Sequence, residues 1–95
     1  MGHLELLLTM FMGVQGEALK LSYPHDTGLE QVSLNWDEQI IPFFLKNDSW
    51  EAVIGIDLDR EPKEYSINIF LIYENKEKIS IESKIEVSSK SFPTT

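Results

Sequence analysis

Apolar and polar residues alternate along most of this chain, in short runs separated by polar turns. The clearest run covers residues 50–59 and has the sequence WEAVIGIDLD. Its odd and even positions divide into an apolar side and a mostly polar side, which is the repeat of a β-strand with one buried face. We predict a strand here, with Leu58 continuing the inward side and the charged segment after it forming a loop.

Other alternating runs flank this strand, at residues 18–23, 31–36, 65–73 and 79–87. Each has one apolar side that requires a partner, and no stretch shows the 3.6-residue period of an amphipathic helix. The alternation predicts a core formed by Leu34, Trp36, Ala52, Ile54, Ile56, Ile67, Ile69 and Ile81. A chain of this length can bury one such core between two layers.

The segment at residues 39–45 differs, because it is apolar on both sides. Pro42 interrupts it, and a proline lacks the N–H needed inside a sheet, so we place it on a strand edge or at a kink. Turns are expected at residues 24–28, 37–38, 46–49 and 74–77, which are rich in Asp, Asn, Gly and Pro or in charged residues.

About seven short strands joined by polar turns are typical of an all-β protein, an immunoglobulin-like antiparallel β-sandwich. Tyr65 supports this prediction, since it follows Pro62 at the start of the sixth strand. A tyrosine in that place can form a tyrosine corner, in which its hydroxyl binds a backbone group across the sandwich. The alternative, a plain core aromatic, fits the same fold.

The N-terminus has two interpretations. Residues 1–3 resemble a cloning scar. Residues 4–12 favour a first strand, with an apolar face made of Leu4, Leu6, Leu8, Met10 and Met12. A signal-peptide remnant is the alternative, although Glu5 interrupts the run and no Lys or Arg precedes it. Either way the run is shorter than the ~18–20 apolar residues of a membrane span.

Composition narrows the classes of partner. The chain has 95 residues and a formal net charge of -8, with no cysteine. Because phosphate backbones and anionic lipids would be repelled, we expect no nucleic-acid binding. The lack of cysteine excludes disulfides and thiolate metal sites without indicating a compartment.

Residues capable of catalysis are few. His25 stands beside Asp26 in a predicted turn, and one such pair supplies neither the three or four ligands of a zinc site nor a nucleophilic triad. The sequence therefore indicates no catalytic and no cofactor-binding residue. Asp57, Asp59 and Glu61 have spacing suited to a calcium loop but lack the glycine and distal glutamate of an EF-hand. A solvated turn is the favoured interpretation, and calcium is the weaker one.

Aromatic residues raise a second possibility. Trp36, Phe43, Phe44 and Trp50 could form a platform on which sugars stack, but their alternation favours the core for most of them. Phe43 and Phe44 are the interaction candidates. If they form an exposed apolar ridge, it marks a docking surface, since soluble monomers seldom expose such patches.

Several motifs together resemble a known family. They are residues 15–17, residues 41–44, residues 50–59, the pair Pro62 and Tyr65, and residues 90–93. In this order they resemble the immunoglobulin-like N-terminal domain that precedes the catalytic domain in bacterial lysostaphin/LytM-type zinc metallopeptidases (metallopeptidase family 23). The likeness covers roughly residues 4–93. Its structural motif residues are Gly55, Asp57, Asp59, Pro62 and Tyr65. Lys63 departs from the glycine often found after that proline.

The resemblance implies an enzyme as the parent and a non-catalytic domain as this chain. The zinc-binding segments of the family, His-x-x-x-Asp and His-x-His, do not occur in this sequence. Zinc is therefore expected in a downstream catalytic domain, with the sandwich at residues 4–91 and a linker starting at residues 92–95.

The implied location is outside the cytoplasm, in the periplasm or cell envelope. The implied partners are the downstream catalytic domain and either peptidoglycan or a cell-envelope protein. A free-standing immunoglobulin-like binding or adhesion module remains the alternative.

Overall fold

A computed structural model describes residues 10–90, which form eight β-strands. The strands are β1 (Met10–Val14), β2 (Ala18–Pro24), β3 (Leu29–Trp36), β4 (Gln39–Pro42), β5 (Phe44–Lys46), β6 (Ser49–Gly55), β7 (Glu64–Tyr73) and β8 (Lys78–Ser88). The described part contains no helix that could cross a bilayer. The predictions for the scar at residues 1–3, the run at residues 4–9 and the linker at residues 92–95 lie outside the described residues.

The strands form two sheets, which confirms the predicted β-sandwich. The larger sheet has the order β1-β8-β7-β3-β4 and the smaller has the order β2-β6-β5. All neighbours are antiparallel except β1 and β8, which run parallel. The arrangement is immunoglobulin-like, with a buried tryptophan, Trp36, on the third strand and a tyrosine, Tyr65, at the start of β7.

Both sheets contribute side chains to one buried cluster. Its members are Leu21, Leu29, Val32, Leu34, Trp36, Phe43, Trp50, Ala52, Ile54, Ile56, Ile67, Ile69, Leu71, Ile85 and Val87. The alternation predicted this core correctly except for Ile81, which is half-buried and packs against the cluster. Ile67 lies two residues after Tyr65, where antibody domains carry the second cysteine of their disulfide. In this protein an apolar side chain occupies that place.

The segment that is apolar on both sides forms two strands rather than one. β4 belongs to the larger sheet and β5 to the smaller, so the chain crosses between sheets at Phe43. The backbone N–H of Phe43 donates to the carbonyl of Val32 at 2.8 Å, and its side chain is buried. This crossing accounts for two strands where the sequence predicted one, whereas Ile40, Phe44 and Leu45 stay exposed. Pro42 ends the edge strand β4, as predicted.

Two predictions of burial are wrong. Leu58 is 58% exposed. The strand pairing ends at Gly55, and the backbone N–H of Arg60 bonds to the carbonyl of Asp57, so the chain has turned before Leu58 could face inward. Met12 is 65% exposed and Met10 is 46% exposed, because the side of β1 that packs against the core carries Phe11 instead.

Two hairpin turns have two residues each with positive φ. Asp37 and Glu38 have φ of 55° and 63°, and Asn47 and Asp48 have φ of 49° and 63°. Positive φ at both central residues is the form of two-residue turn that matches strand twist. Asn and Asp tolerate this region better than Glu does, so Glu38 carries the most backbone strain of the four.

Candidate functional site

Side chains with specific polar partners concentrate at the two ends of the sandwich. β2 and β6 run antiparallel, with Ala18 opposite Gly55 at one end and Pro24 opposite Ser49 at the other. The Arg60 end consists of Gln15, Trp36, Arg60, Tyr65 and Lys90. The His25 end consists of Tyr23, His25, Asp26, Trp50 and Tyr73.

Arg60 is held by one carboxylate and two aromatic rings. Its guanidinium lies 2.9 Å from Asp37 Oδ1, and its Cζ is 4.8 Å from the Trp36 ring centroid and 5.2 Å from that of Tyr65. The hydrogen bond with Asp37 is the main effect that raises the pKa of Arg60 above its ordinary value. The charge is therefore permanent, and the two rings confine it through cation–π attraction.

The rings beneath Arg60 are fixed by bonds to the backbone. Trp36 Nε1 donates to the carbonyl of Gly55 at 3.3 Å, and the Tyr65 hydroxyl donates to the carbonyl of Glu61 at 2.6 Å. The two rings meet edge to face with centroids 5.6 Å apart. Tyr65 thus forms a tyrosine corner, but its bond is local to the β6–β7 loop rather than across the sandwich.

The turn at residues 15–17 connects three parts of this end. The side chain of Gln15 donates to the carbonyl of Arg60 at 2.7 Å and accepts the backbone N–H of Lys90 at 3.1 Å. Glu17 binds the ammonium group of Lys90 at 3.0 Å. Gly16 has φ +77°, a conformation that favours glycine. The segment that leaves β8 is consequently bound on both its backbone and its side chain.

Pro62 and Gly55, two further residues of the motif, also lie at the Arg60 end. Pro62 lies between the carbonyl of Glu61, which accepts from Tyr65, and that of Lys63, which accepts the backbone N–H of Val87 at 2.9 Å. Gly55 supplies only its carbonyl, and an added Cβ there would meet open space. Neither φ nor crowding therefore requires glycine at this position.

The calcium candidates gain no support from the described part of the chain. Asp57, Asp59 and Glu61 border an open depression, but Arg60 and Lys63 border the same depression. Within residues 10–90, no three His, Cys, Asp or Glu side chains come together as a group that could hold a metal ion. Mixed charge of this kind suits a solvated turn, the favoured interpretation of the sequence.

At the His25 end, both donors and acceptors of the main hydrogen bonds are side chains. Trp50 Nε1 donates to His25 Nδ1 at 3.0 Å, and the Tyr73 hydroxyl donates to Asp26 Oδ2 at 3.1 Å. Burial, then the hydrogen bond to Asp26, raises the pKa of Tyr73 to about 12. Burial and the nearby Asp26 charge also raise the pKa of Tyr23. Both phenols are thus neutral under ordinary conditions.

The two interaction candidates have opposite surroundings. Phe43 is 4% exposed and belongs to the core, so the prediction that it forms part of an exposed ridge is wrong. Phe44 is 71% exposed and borders a shallow, mainly apolar groove of about 440 Å³ with Ile41, Pro42 and Val53. Trp36 and Trp50 are buried as well, so these four aromatics form no sugar-stacking platform.

Sequence reasoning missed Arg60 and the bond between His25 and Trp50. Arg60 is the single arginine of the sequence and stands in a loop next to the tyrosine-corner motif. An arginine among lysines can mark a stacked or bidentate position, and this was the available signal. Nothing in the spacing of His25 and Trp50 indicates their contact, which follows from the register of β2 and β6.

Comparison with solved structures shows a weak structural likeness. No family model and no curated protein matches the chain. A similar solved structure is the Bacteroides ovatus mixed-linkage glucan utilization locus (MLGUL) SGBP-B in complex with mixed-linkage heptasaccharide. It is 13% identical with a TM-score of 0.40, and the match covers 86% of this chain and 24% of that chain. The chain thus spans about a quarter of the length of that protein, and the likeness is too low to carry an argument about function.

Proposed function

We propose that this chain is a non-catalytic accessory domain whose Arg60 end sets the direction of the polypeptide that follows β8. The observation that carries the proposal is the binding of Lys90 by Gln15 and Glu17. A chain held at two points on leaving a sandwich transmits the orientation of that sandwich to whatever follows. The motif residues at positions 15–17, 55, 62, 65 and 90 all belong to this end.

The resemblance to metallopeptidase family 23 supplies the proposed parent. In that setting the following domain is an exported zinc endopeptidase acting on peptidoglycan in the periplasm or cell envelope, and zinc belongs to that domain. The present chain orients the catalytic groove relative to the cell wall. Its own residues carry no step of hydrolysis, because a zinc hydrolase needs three protein ligands and an open position for water.

The test uses the longer polypeptide encoded by the same reading frame. We expect a β-rich domain with His-x-x-x-Asp and His-x-His after residue 95, cleavage of purified peptidoglycan by the long protein only, and loss of cleavage with a chelator. Turnover by residues 1–95 alone would contradict the proposal. So would a reading frame without a metallopeptidase domain.

Gln15→Ala tests the junction within that longer protein. The variant should broaden the distribution of interdomain distances measured by small-angle scattering, because the backbone N–H of Lys90 loses its side-chain acceptor. Gln31→Ala, an exposed glutamine of β3, is the matched control and should leave the distribution unchanged. Equal distributions in all three proteins would show that the junction does not orient the next domain.

A free-standing binding module is the second candidate, and the exposure of Phe44 favours it. A side chain of this size at 71% exposure beside an apolar groove is a site of contact in many complexes. The isolated chain should then cosediment with purified peptidoglycan, and Phe44→Ser should weaken this about tenfold. Leu45→Ser is the control, since Leu45 is exposed without bordering the groove. Equal binding by both variants would remove Phe44 from the interface.

A further inference from the structure

The two tryptophans donate their indole N–H groups to acceptors of different kinds. Trp36 donates to the backbone carbonyl of Gly55, which carries no titratable proton. Trp50 donates to the side chain of His25, at 3.0 Å from Nδ1. The indole of Trp50 is buried, at 7% exposure, whereas His25 lies on the surface. The exposed imidazole of His25 therefore accepts the hydrogen bond of the buried Trp50 indole.

The chemistry of the bond fixes the protonation state of His25. An indole nitrogen can only donate, so Nδ1 of the imidazole must accept and cannot carry a proton. In this state the ring proton is on Nε2. An imidazolium has N–H groups on both nitrogens and accepts nothing, and imidazole side chains ordinarily change charge between about pH 5 and 8. The bond and the charged form of His25 are mutually exclusive.

Titratable groups come from each element next to His25. They are Asp26 in its own loop, Asp48 in the β5–β6 turn, Tyr23 on β2 and, through Asp26, Tyr73 on β7. The raised pKa values of Tyr23 and Tyr73 keep both phenols neutral in the imidazole range. Among side-chain types, imidazole is the one whose charge ordinarily changes near neutrality.

Loss of the bond affects both the loop and the indole. The β2–β3 loop is joined to the smaller sheet by the Trp50 bond and by the backbone N–H of His25, which donates to the carbonyl of Asp48 at 3.1 Å. An imidazolium presents an N–H to the indole N–H, so the two donors face each other and the bond cannot form. Trp50 also borders a depression of about 280 Å³ with Val32, Ile40 and Pro42, so its movement would change that surface.

We propose that the hydrogen bond from Trp50 to His25, here called the His25 latch, is an acid-sensitive device that fixes the β2–β3 loop. At pH 8 the latch is closed and Trp50 is held beneath the loop. Protonation of His25 opens it, and the loop separates from β6 while the core and the Arg60 end keep their structure.

The two indole N–H signals in a nitrogen-15 correlation spectrum provide the test, measured on the full chain from pH 8 to pH 5. The Trp50 signal should shift with a single midpoint in the imidazole range, and the backbone amide signal of His25 should follow with the same midpoint. The Trp36 signal should stay in place and is the internal control. A stationary Trp50 signal would overturn the latch, as would joint movement of both indoles from loss of the whole fold. A His25 amide that stays in place would overturn the release of the loop.

Two variants identify the titrating group. His25→Gln keeps an oxygen acceptor that does not titrate, so the Trp50 signal should no longer respond to pH. His25→Ala should place that signal at its acidic position throughout. If His25→Gln retains the shift, an aspartate is responsible and the proposal is wrong.

Discussion

The two ends of the sandwich contain the same kinds of group with different acceptors. Each end has a two-residue turn with positive φ, a tryptophan that donates its indole N–H and a tyrosine that donates its hydroxyl. At the Arg60 end both acceptors are backbone carbonyls. At the His25 end both are titratable side chains, an imidazole and a carboxylate.

This difference separates constant geometry from geometry that depends on conditions. A backbone carbonyl accepts at any pH and regardless of the side chain attached to it, so Trp36 and Tyr65 provide a fixed support for Arg60. The acceptors of Trp50 and Tyr73 are titratable side chains, and the imidazole of His25 accepts only in its neutral form. The indole and phenol hydrogen bonds of the Arg60 end therefore have acceptors that do not titrate, whereas the acceptors at the His25 end are titratable groups.

The largest expected effect on stability comes from a change in the core that lies between the two ends. Ile54 is 3% exposed in the middle of β6, and Ile54→Ala should lower the free energy of unfolding by about 2–5 kcal/mol, as for other large-to-small core changes. Urea unfolding should show one transition at both indole signals. Val53→Ala, at a position 61% exposed on the same strand, is the control and should change stability by less than about 0.5 kcal/mol. Separate transitions at the two ends would contradict a shared core.

Removal of Arg60 tests the constant end by itself. Arg60→Ala loses an ion pair and contacts with two rings, for which we expect a cost of about 1–2 kcal/mol. The Trp36 indole signal should shift while the Trp50 signal stays in place. Lys63→Ala is the matched control, since Lys63 is exposed and lies 5.3 Å from the Tyr65 ring centroid. An equal cost for both variants would mean that Arg60 contributes no more to the free energy of unfolding than an exposed lysine does.

The two strained turns allow a comparison between the ends. Glu38→Gly should raise the stability by about 0.5–1 kcal/mol, because glycine adopts positive φ without the steric cost that a larger side chain incurs. Asp48→Gly should gain less, since aspartate already tolerates this conformation. Thermal unfolding of both variants measures the difference. A larger gain at Asp48 would show that strain at Glu38 is relieved by contacts elsewhere.

The smallest effect concerns alkaline stability at the His25 end. The pKa of Tyr73 is raised to about 12 in the fold, above the ordinary value of 10.0, so the folded state retains its proton longer than the unfolded state does. The stabilisation is fully present below pH 10 and is lost as the pH rises towards 12. Unfolding midpoints from pH 9 to pH 12 should fall less steeply for Tyr73→Phe.

The sequence predicted the strands well where one face alone is buried. Alternation located β3, β6 and β7 and most of the core, because a period of two leaves little choice of register. It failed where the chain changes sheet at Phe43 and where pairing ends after Gly55. At both places the surroundings of a side chain depend on other strands, which local alternation does not contain.

The Arg60 end was beyond sequence reasoning for a different reason. Its contacts join residues far apart in the chain, such as Gln15 with Arg60 and Gln15 with Lys90. The parallel pairing of β1 with β8 carries Gln15 to the segment after β8, and no turn joins these two strands by which the pairing could be recognised. The motifs were visible in the sequence, but not their convergence.

That parallel pair has a mechanical consequence. β1 and β8 pair over five positions from Met10 opposite Lys84 to Val14 opposite Ser88, so the chain enters the pair at one end and leaves it at the other. Tension on the two ends of the chain pulls these strands along their length in opposite directions. The hydrogen bonds between them are then loaded in shear and must break together, whereas a hairpin pulled from its open end separates one bond at a time. A domain built in this way resists stretching between two attachment points.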